Sequence, residues 1–382
     1  MKFTAADRLC RIANPLDWTQ EQRDLMVAAC REMAAFHYGA SPDIRHLYDR
    51  NGFDPQSIRT EADIERIPAV GVTAMKHYLM LSMPEEQAVL KLTSSGTRGQ
   101  KTRIWFDADS LDRVQSTLDT LWTQEGLMSD QPTNYLGFVH DPDDADDLGI
   151  AFSCKNEERF APAKRSFYAL KKDSAGGWKF DLDRMLARVR EYEAEGLPVR
   201  ITGIPAFLFE FVEAMRDRGE RPVRFAPGSL VMTGGGWKAA EDKKVSREEL
   251  RRRVSRFFGI PDSMLRDGYG MAEHSAPYME CREHRFHIPV YNRVIPRHPA
   301  TLKPLPKGEA GLLELICPYN TLMPNLAILS TDLGKVDAEP CPCGWNAPTF
   351  TLMGRAGLTK HKGCAITAAE TAERSGESTR SA

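Results

Sequence analysis

An α/β fold with a largely parallel sheet, and a site at the ends of its strands, is what the sequence predicts. Two observations lead there. From residue 199 onward, strand-like runs alternate with helical stretches: 199–202, 229–233 and 264–267 read as strands, 206–215 and 241–258 as helices. That alternation is the order of βα units. Glycines also stand where two of these strands end, at Gly203 and at Gly234, Gly235 and Gly236. Open α/β sheets bind their ligands at such strand ends. The chain has 382 residues, enough for one large domain or two ordinary ones with a substantial core.

Composition removes several function classes. There are 51 basic and 53 acidic residues and a net charge of -2, so no basic face offers itself to nucleic acid. The opening MKFTAADRLCRIANPLDW has no apolar core of a signal peptide, and no run of 18 apolar residues exists to span a membrane. The expectation is a cytoplasmic protein. Its 8 cysteines then read as reduced thiols or metal ligands, not as a disulfide framework.

Taken in order, residues 20–40 place Leu25, Met26, Ala29, Met33, Ala34 and Phe36 at helical spacing. Residues 41–80 mix short helices and turns, broken at Pro68 and Gly71. We expect residues 1–85 to form a helical segment that packs as a lid or substrate wall. A strand-like LKL at 90–92 then enters TSSGTRGQK at 93–101, and TRIWF follows at 102–106. Backbone N–H groups and hydroxyls of Thr93, Ser94, Ser95, Gly96 and Thr97 can surround phosphate oxygens, with charge from Arg98 or Lys101. The loop is neither a Walker loop nor, since it opens no helix, a dinucleotide fingerprint. A polar hairpin turn is the plain alternative. Residues 108–126 read as a helix capped by Asp107 or Asp109, with Leu111, Val114, Leu118 and Leu121 on one face. YLGFVH at 135–140 reads as a buried strand, the acidic DPDDADD at 141–147 as a solvated loop, and 180–194 as an amphipathic helix. The three glycines at 234–236 let a flat ring approach the main chain.

After that turn come GYGMAE at 268–273, STDLG at 330–334 and Gly354-Arg355. Phosphate-type loop, glycine turn, Tyr-Gly-x-x-Glu, Thr-Asp and Gly-Arg in this order resemble the adenylate-forming superfamily. The resemblance implies a large acyl-CoA-synthetase-like domain, here residues 1–354, that joins a carboxylic acid to AMP using ATP and Mg²⁺. It implies that the loop holds the β- and γ-phosphates and that Tyr269, beside Gly270, lies against adenine. Glu273 would reach Mg²⁺, Asp332 would accept hydrogen bonds from the ribose hydroxyls, and Arg355 would lie near ribose and phosphate. Taken singly, each has an ordinary reading as a turn Tyr, a surface Glu, an N-capping Asp or a surface Arg. The chain departs from the superfamily in two places. Only 27 residues follow Arg355, where a mobile domain with a catalytic lysine is expected, and the acid expected after Gly-Arg is replaced by Ala356, Gly357 and Leu358. Lys238, Lys360 and Lys362 are candidates for the missing lysine.

The truncated arm, residues 355–382, carries Cys364 behind Lys360, His361, Lys362 and Gly363 and before a helix-compatible AITAAE; the closing TAERSGESTRSA is small, polar and expected to be disordered. Neighbouring cations and a helix start favour the thiolate, the nucleophilic form. With GGGWK, GYGMAEH, YMECREHRFHIPVY, TDLG, CPCG and this ending, the chain resembles the LuxE-type acyl-protein synthetases, relatives of the phenylacetate-CoA ligases. That resemblance implies fatty acid activation to acyl-AMP, transfer to the enzyme's own cysteine, and delivery to an acyl-protein reductase that makes aldehyde, as in bacterial bioluminescence. Cys364 is the matching position. A phenylacetate-type aryl- or acyl-CoA ligase, and an inactive acyl carrier or scaffold, are the competing readings.

One further cluster suggests a metal. Cys341-Pro-Cys343 places two thiols on a tight turn, and Cys281 with His287 completes a tetrahedral Cys3His set for structural Zn²⁺, His284 being the competing imidazole. Related aryl-CoA ligases show a similar pattern. Buried reduced thiols beside surface histidines are the alternative.

Overall fold

The computed structural model describes residues 3–93, 102–145, 149–172, 177–237 and 243–356. Fifteen strands are present among them. In chain order they are β1 (Val70–Gly71), β2 (Leu90–Thr93), β3 (Arg103–Phe106), β4 (Thr133–His140), β5 (Ala163–Lys172), β6 (Trp178–Phe180), β7 (Val199–Gly203), β8 (Leu230–Gly234), β9 (Leu265–Met271), β10 (His274–Met279), β11 (Phe286–His287), β12 (Arg293–Arg297), β13 (Gly311–Ile316), β14 (Ala327–Val336) and β15 (Thr349–Arg355).

The expected α/β sheet has the order β10-β9-β8-β7-β4-β5-β6. Strands β5, β4, β7, β8 and β9 are parallel, and β10 and β6 close the edges as antiparallel hairpin partners. Helices Leu182–Glu195, Pro205–Asp217 and Arg247–Phe258 pack on one face, with Val231 pointing to them. Leu230 and Met232, of opposite parity on the same strand, join a second core with helix Ala108–Gln124 and the N-terminal helices. The chain order reverses between β4 and β7, which opens a crevice at their C-terminal ends. Gly203 closes that corner. Its φ is 134°, and a Cβ there would lie 2.4 Å from the Phe138 carbonyl oxygen.

A second sheet, β11-β15-β14-β13-β12 with β1 added parallel to β14, was not anticipated from the sequence. It is antiparallel apart from β1, and it brings residues 311–355 against the first sheet's β9–β10 edge. The opening segment is helical, as expected: Gln20–Ala40, Pro42–Arg50, Glu61–Ile64 and Val72–His77. Its apolar faces are built into the core. Met26, Ala29, Met33 and Ala34 are buried, Leu25 and Phe36 only partly. His37 bridges Ser82 Oγ (2.8 Å) and the Asn320 carbonyl (3.0 Å), and β1 pairs Val70 with Ile328.

Several boundaries shift for identifiable reasons. The helix expected from 241 begins at Arg247, because Ser246 accepts from the Glu249 N–H (3.1 Å) and caps it there. Asp107, not Asp109, stands at the N-cap of Ala108–Gln124, its carboxylate tied to Ser110 and Thr321. Met264 belongs to a short 3₁₀ turn, and β9 starts at Leu265 and continues through Met271, so the Tyr-Gly-x-x-Glu motif lies on a hairpin and not in a loop. In the acidic run, Asp141 is buried and paired with Lys171 (2.9 Å). Among the described residues, no helix is long and apolar enough to cross a membrane.

Candidate active site and metal centre

Glu273 sits in the tight turn between β9 and β10 with 5% of its surface exposed. A buried carboxylate needs donors. Thr102, fully buried and the first described residue after position 93, donates its hydroxyl to Glu273 Oε1. From the other side Asn325 Nδ2 donates to the Glu273 carbonyl oxygen (3.0 Å) and to Tyr319 Oη (2.8 Å). The Ser275 N–H also donates to Tyr319 Oη (3.1 Å), so both ends of the turn are anchored on one buried phenol.

Tyr269, Asp332 and Arg355, separated by up to 86 positions, converge. Asp332 and Arg355 face each other across β14 and β15. Arg355 Nε donates to Asp332 Oδ1 (2.9 Å), and Tyr269 Oη donates to Asp332 Oδ2 (2.9 Å). Burial, and then the Asp332 charge, push the Tyr269 phenol well above its ordinary range, so it remains a donor. Its ring packs on Phe350 (5.7 Å) and Tyr278 (5.8 Å). Gly270, next along β9, is exposed.

The glycine turn lies beside this group. Gly234 pairs with Gly268, and a Cβ on Gly234 would meet the Gly268 carbonyl oxygen at 3.4 Å. Gly235 and Gly236 have φ of 78° and 68°, the left-handed region that glycine enters without penalty. Thr233 Oγ1 donates to Asp267 Oδ1 (2.9 Å), and Arg247 lies 3.5 Å from Asp267 and 3.2 Å from Glu280. Burial, with Glu280's charge added, lifts the Asp267 carboxyl to about 7. Thr93 ends β2, opposite Arg103 on β3. Ser94, Ser95, Gly96, Thr97, Arg98 and Lys101 lie outside the described residues, as do Lys238, Lys360, Lys362 and Cys364. Sequence reading missed Thr102, Asn325 and Asp267. Only the adjacency of Thr102 to the loop and of Asp267 to the Gly-Tyr-Gly run pointed toward them.

Cys281, His287, Cys341 and Cys343 are all buried, with ligand atoms within 4.8 Å of one another. Cys281 Sγ lies 3.6 Å from Cys341 Sγ, and His287 Nε2 lies 3.2 Å from Cys343 Sγ. His287 Nδ1 sits 3.0 Å from the Ala347 carbonyl, the outer hydrogen bond that directs Nε2 inward. His284 is engaged elsewhere, 2.6 Å from Asp262. Three thiols and one imidazole, enclosed and converging, suit a four-coordinate thiophilic ion such as Zn²⁺.

Over residues 2–372 the chain matches the family described as Acyl-protein synthetase, LuxE. It is 24% identical over 369 residues to the long-chain-fatty-acid–luciferin-component ligase of Vibrio harveyi, covering 95% of this chain and 92% of that one. The protein of the same name from Aliivibrio fischeri is also 24% identical, over 95% and 93% of the two chains. The phenylacetate-coenzyme A ligase of Thermus thermophilus is 24% identical over 340 residues, 85% of this chain and 68% of its own. Among solved structures, 2-hydroxyisobutyryl-CoA ligase in complex with 2-HIB-AMP superposes with a TM-score of 0.68 at 15% identity, over 90% of this chain and 70% of that one. At such identity the likeness establishes the fold, that of the adenylate-forming acyl-CoA ligases. With the family's pattern spanning the chain and its fold in place around the convergent Tyr269, Asp332 and Arg355, this protein is an enzyme of the LuxE acyl-protein synthetase family.

Proposed function

We propose that the chain activates a fatty acid with ATP and then acylates itself on Cys364, holding the acyl group as a thioester for an acyl-protein reductase partner. One observation carries the acceptor. Of the 8 cysteines, the seven among the described residues are buried, and burial pushes the Cys10 and Cys30 thiols up to about 12. Enclosed thiols are out of reach of an acyl adenylate, and raised ones such as Cys10 and Cys30 are poor nucleophiles. Cys364 is the eighth, with Lys360, His361 and Lys362 just before it. The names of the Vibrio and Aliivibrio relatives support a long-chain fatty acid as substrate.

In the first half-reaction a carboxylate oxygen of the fatty acid attacks the α-phosphorus of ATP. The bond to the bridging oxygen breaks, pyrophosphate leaves and the acyl adenylate remains. Asp332 would accept the ribose hydroxyls, its two oxygens oriented by Tyr269 and Arg355. The turn at Gly234, Gly235 and Gly236 would flank the base, and residues 93–101 would hold the phosphates. Glu273 would hold Mg²⁺. It fits a hard cation, being a buried carboxylate with Oε1 bonded by Thr102. When bound, the ion supplies charge neutralisation at the phosphates. In the second half-reaction the Cys364 thiolate attacks the acyl carbonyl carbon, the bond from that carbon to the phosphate oxygen breaks, and AMP leaves. Cys281, His287, Cys341 and Cys343 would hold a structural Zn²⁺.

Intact mass after incubation with ATP, Mg²⁺ and fatty acid tests this reading. Wild type should gain one acyl group, labile to neutral hydroxylamine. Cys364→Ser should still release pyrophosphate but lose the adduct. A labile adduct on that variant makes another cysteine the acceptor. Because the Thermus phenylacetate-CoA ligase is as identical to this chain as the Vibrio and Aliivibrio relatives are, CoA belongs in the same assay. Ready formation of acyl-CoA without self-acylation would favour a CoA ligase.

A further inference from the structure

We propose that Thr102 is a positioning residue that holds the Glu273 carboxylate in the orientation needed to meet the metal ion accompanying the triphosphate. The inference rests on the reading of Glu273 given above and adds a residue to it. Thr102 directly follows loop 94–101 and precedes β3. Its side chain is wholly enclosed, and its hydroxyl donates to Glu273 Oε1 across 171 positions of sequence. Among the described residues, no other side chain bonds either carboxylate oxygen of Glu273. The Asn325 amide grips the same residue at its carbonyl.

Two attachments at opposite ends leave Glu273 little torsional freedom. Asn325 fixes the backbone of the turn, and Thr102 fixes the end of the side chain. Threonine suits the task because its β-branch restricts χ1, so the hydroxyl arrives preset. The arrangement joins the loop's exit strand to the carboxylate. Thr102 immediately precedes β3, whose antiparallel partner is β2. Outer-shell partners of this kind change metal affinity by roughly 10- to 100-fold when removed.

The test uses the full chain and compares Thr102→Val, which keeps the shape and removes the hydroxyl, with Thr102→Ser, which keeps the hydroxyl. Mn²⁺ affinity is read by electron paramagnetic resonance in the presence of α,β-methylene ATP, alongside nucleotide binding without metal. Thr102→Val should weaken Mn²⁺ about tenfold or more, leave metal-free nucleotide binding unchanged, and be rescued by Thr102→Ser. In a Glu273→Gln background, Thr102→Val should have no further effect, since the two groups act as one unit. If Thr102→Val lowers the melting midpoint, Thr102→Ala against Thr102→Ser gives the same comparison, and equal Mn²⁺ affinities overturn the inference. If Glu273→Gln weakens Mn²⁺ while Thr102→Val does not, Thr102 has no positioning role and Glu273 keeps its own. If Glu273→Gln changes nothing, the metal reading of Glu273 falls, and this inference with it.

Discussion

Replacing Cys343 with Ser removes one thiolate from the only Cys/His cluster of metal-binding geometry among the described residues. A serine oxygen is hard and protonated at neutral pH, so a thiophilic ion loses its fourth ligand. The size of the effect follows from what the ion would join. Cys281 and Cys341 lie 60 positions apart, their sulfurs 3.6 Å from each other. Closing a loop of that length removes chain entropy from the unfolded state, worth about 4 kcal/mol in the loop-closure treatment of cross-links. Unfolding entropy near 60 °C is about 2.1 cal/mol/K per residue, or roughly 0.8 kcal/mol/K for this chain. The melting midpoint should then fall by about 5 °C. The loss is local in origin but reaches the site, because Cys281 lies two residues past the end of β10 and the 341–343 turn lies between β14 and β15. Elemental analysis should find about one zinc per chain in wild type and none in Cys343→Ser. Scanning calorimetry should place chelator-stripped wild type at the variant's midpoint. Metal-free wild type of undiminished stability would refute the argument, as would full zinc content in the variant.

Two other predictions use contacts with stated partners. Tyr269→Phe keeps the ring against Phe350 and removes the donor to Asp332 Oδ2. Since Arg355 is mostly exposed, the phenol is the better shielded of the two donors, and a bond to a charged acceptor is worth about 1.5–3 kcal/mol. The KM for ATP should rise about tenfold with little change in kcat, and an unaltered KM would show that only the ring matters. Glu157→Gln tests a pH dependence. Burial lifts the Glu157 carboxyl to about 8, against the pull of Thr202 and Arg200, although the side chain keeps a partial opening to solvent. A carboxyl that binds its proton more tightly when folded costs stability as pH rises from its unfolded value, about 4.3, through about 8, and the deficit is constant above that. The variant should match wild type near pH 4 and melt higher above pH 8. Parallel midpoint curves across that range would remove Glu157 from the account.

The residues differ sharply in how far they could be read before folding. Helices Gln20–Ala40 and Pro205–Asp217 and strand β4 were legible because their signals are local: apolar spacing at 3.6 or an unbroken apolar run, punctuated by Gly and Pro. The short motifs carrying Tyr269, Asp332 and Arg355 were legible as an ordered set, and the fold brings these three residues together. That Tyr269 and Arg355 would both spend their donors on Asp332 was not legible, because that geometry depends on β14 and β15 pairing in one register and on the second sheet meeting β9. The second sheet itself escaped notice: β1 and β11 are two residues long and carry no periodicity of their own, and β12 to β15, five to ten residues each, were not read as strands. Between His284 and His287, spacing alone offered no choice. The fold separates the two: Asp262 engages His284, while His287 is buried on β11 with Nε2 near the Cys343 thiol and Nδ1 against the Ala347 carbonyl. Thr102 shows the same division most plainly, an unremarkable residue after a conspicuous loop, made a partner of Glu273 by a contact across 171 positions. Side-chain periodicity and turn chemistry are properties of neighbours in sequence. Pairings between distant residues exist only once buried apolar area has offset the entropy of closing the chain between them.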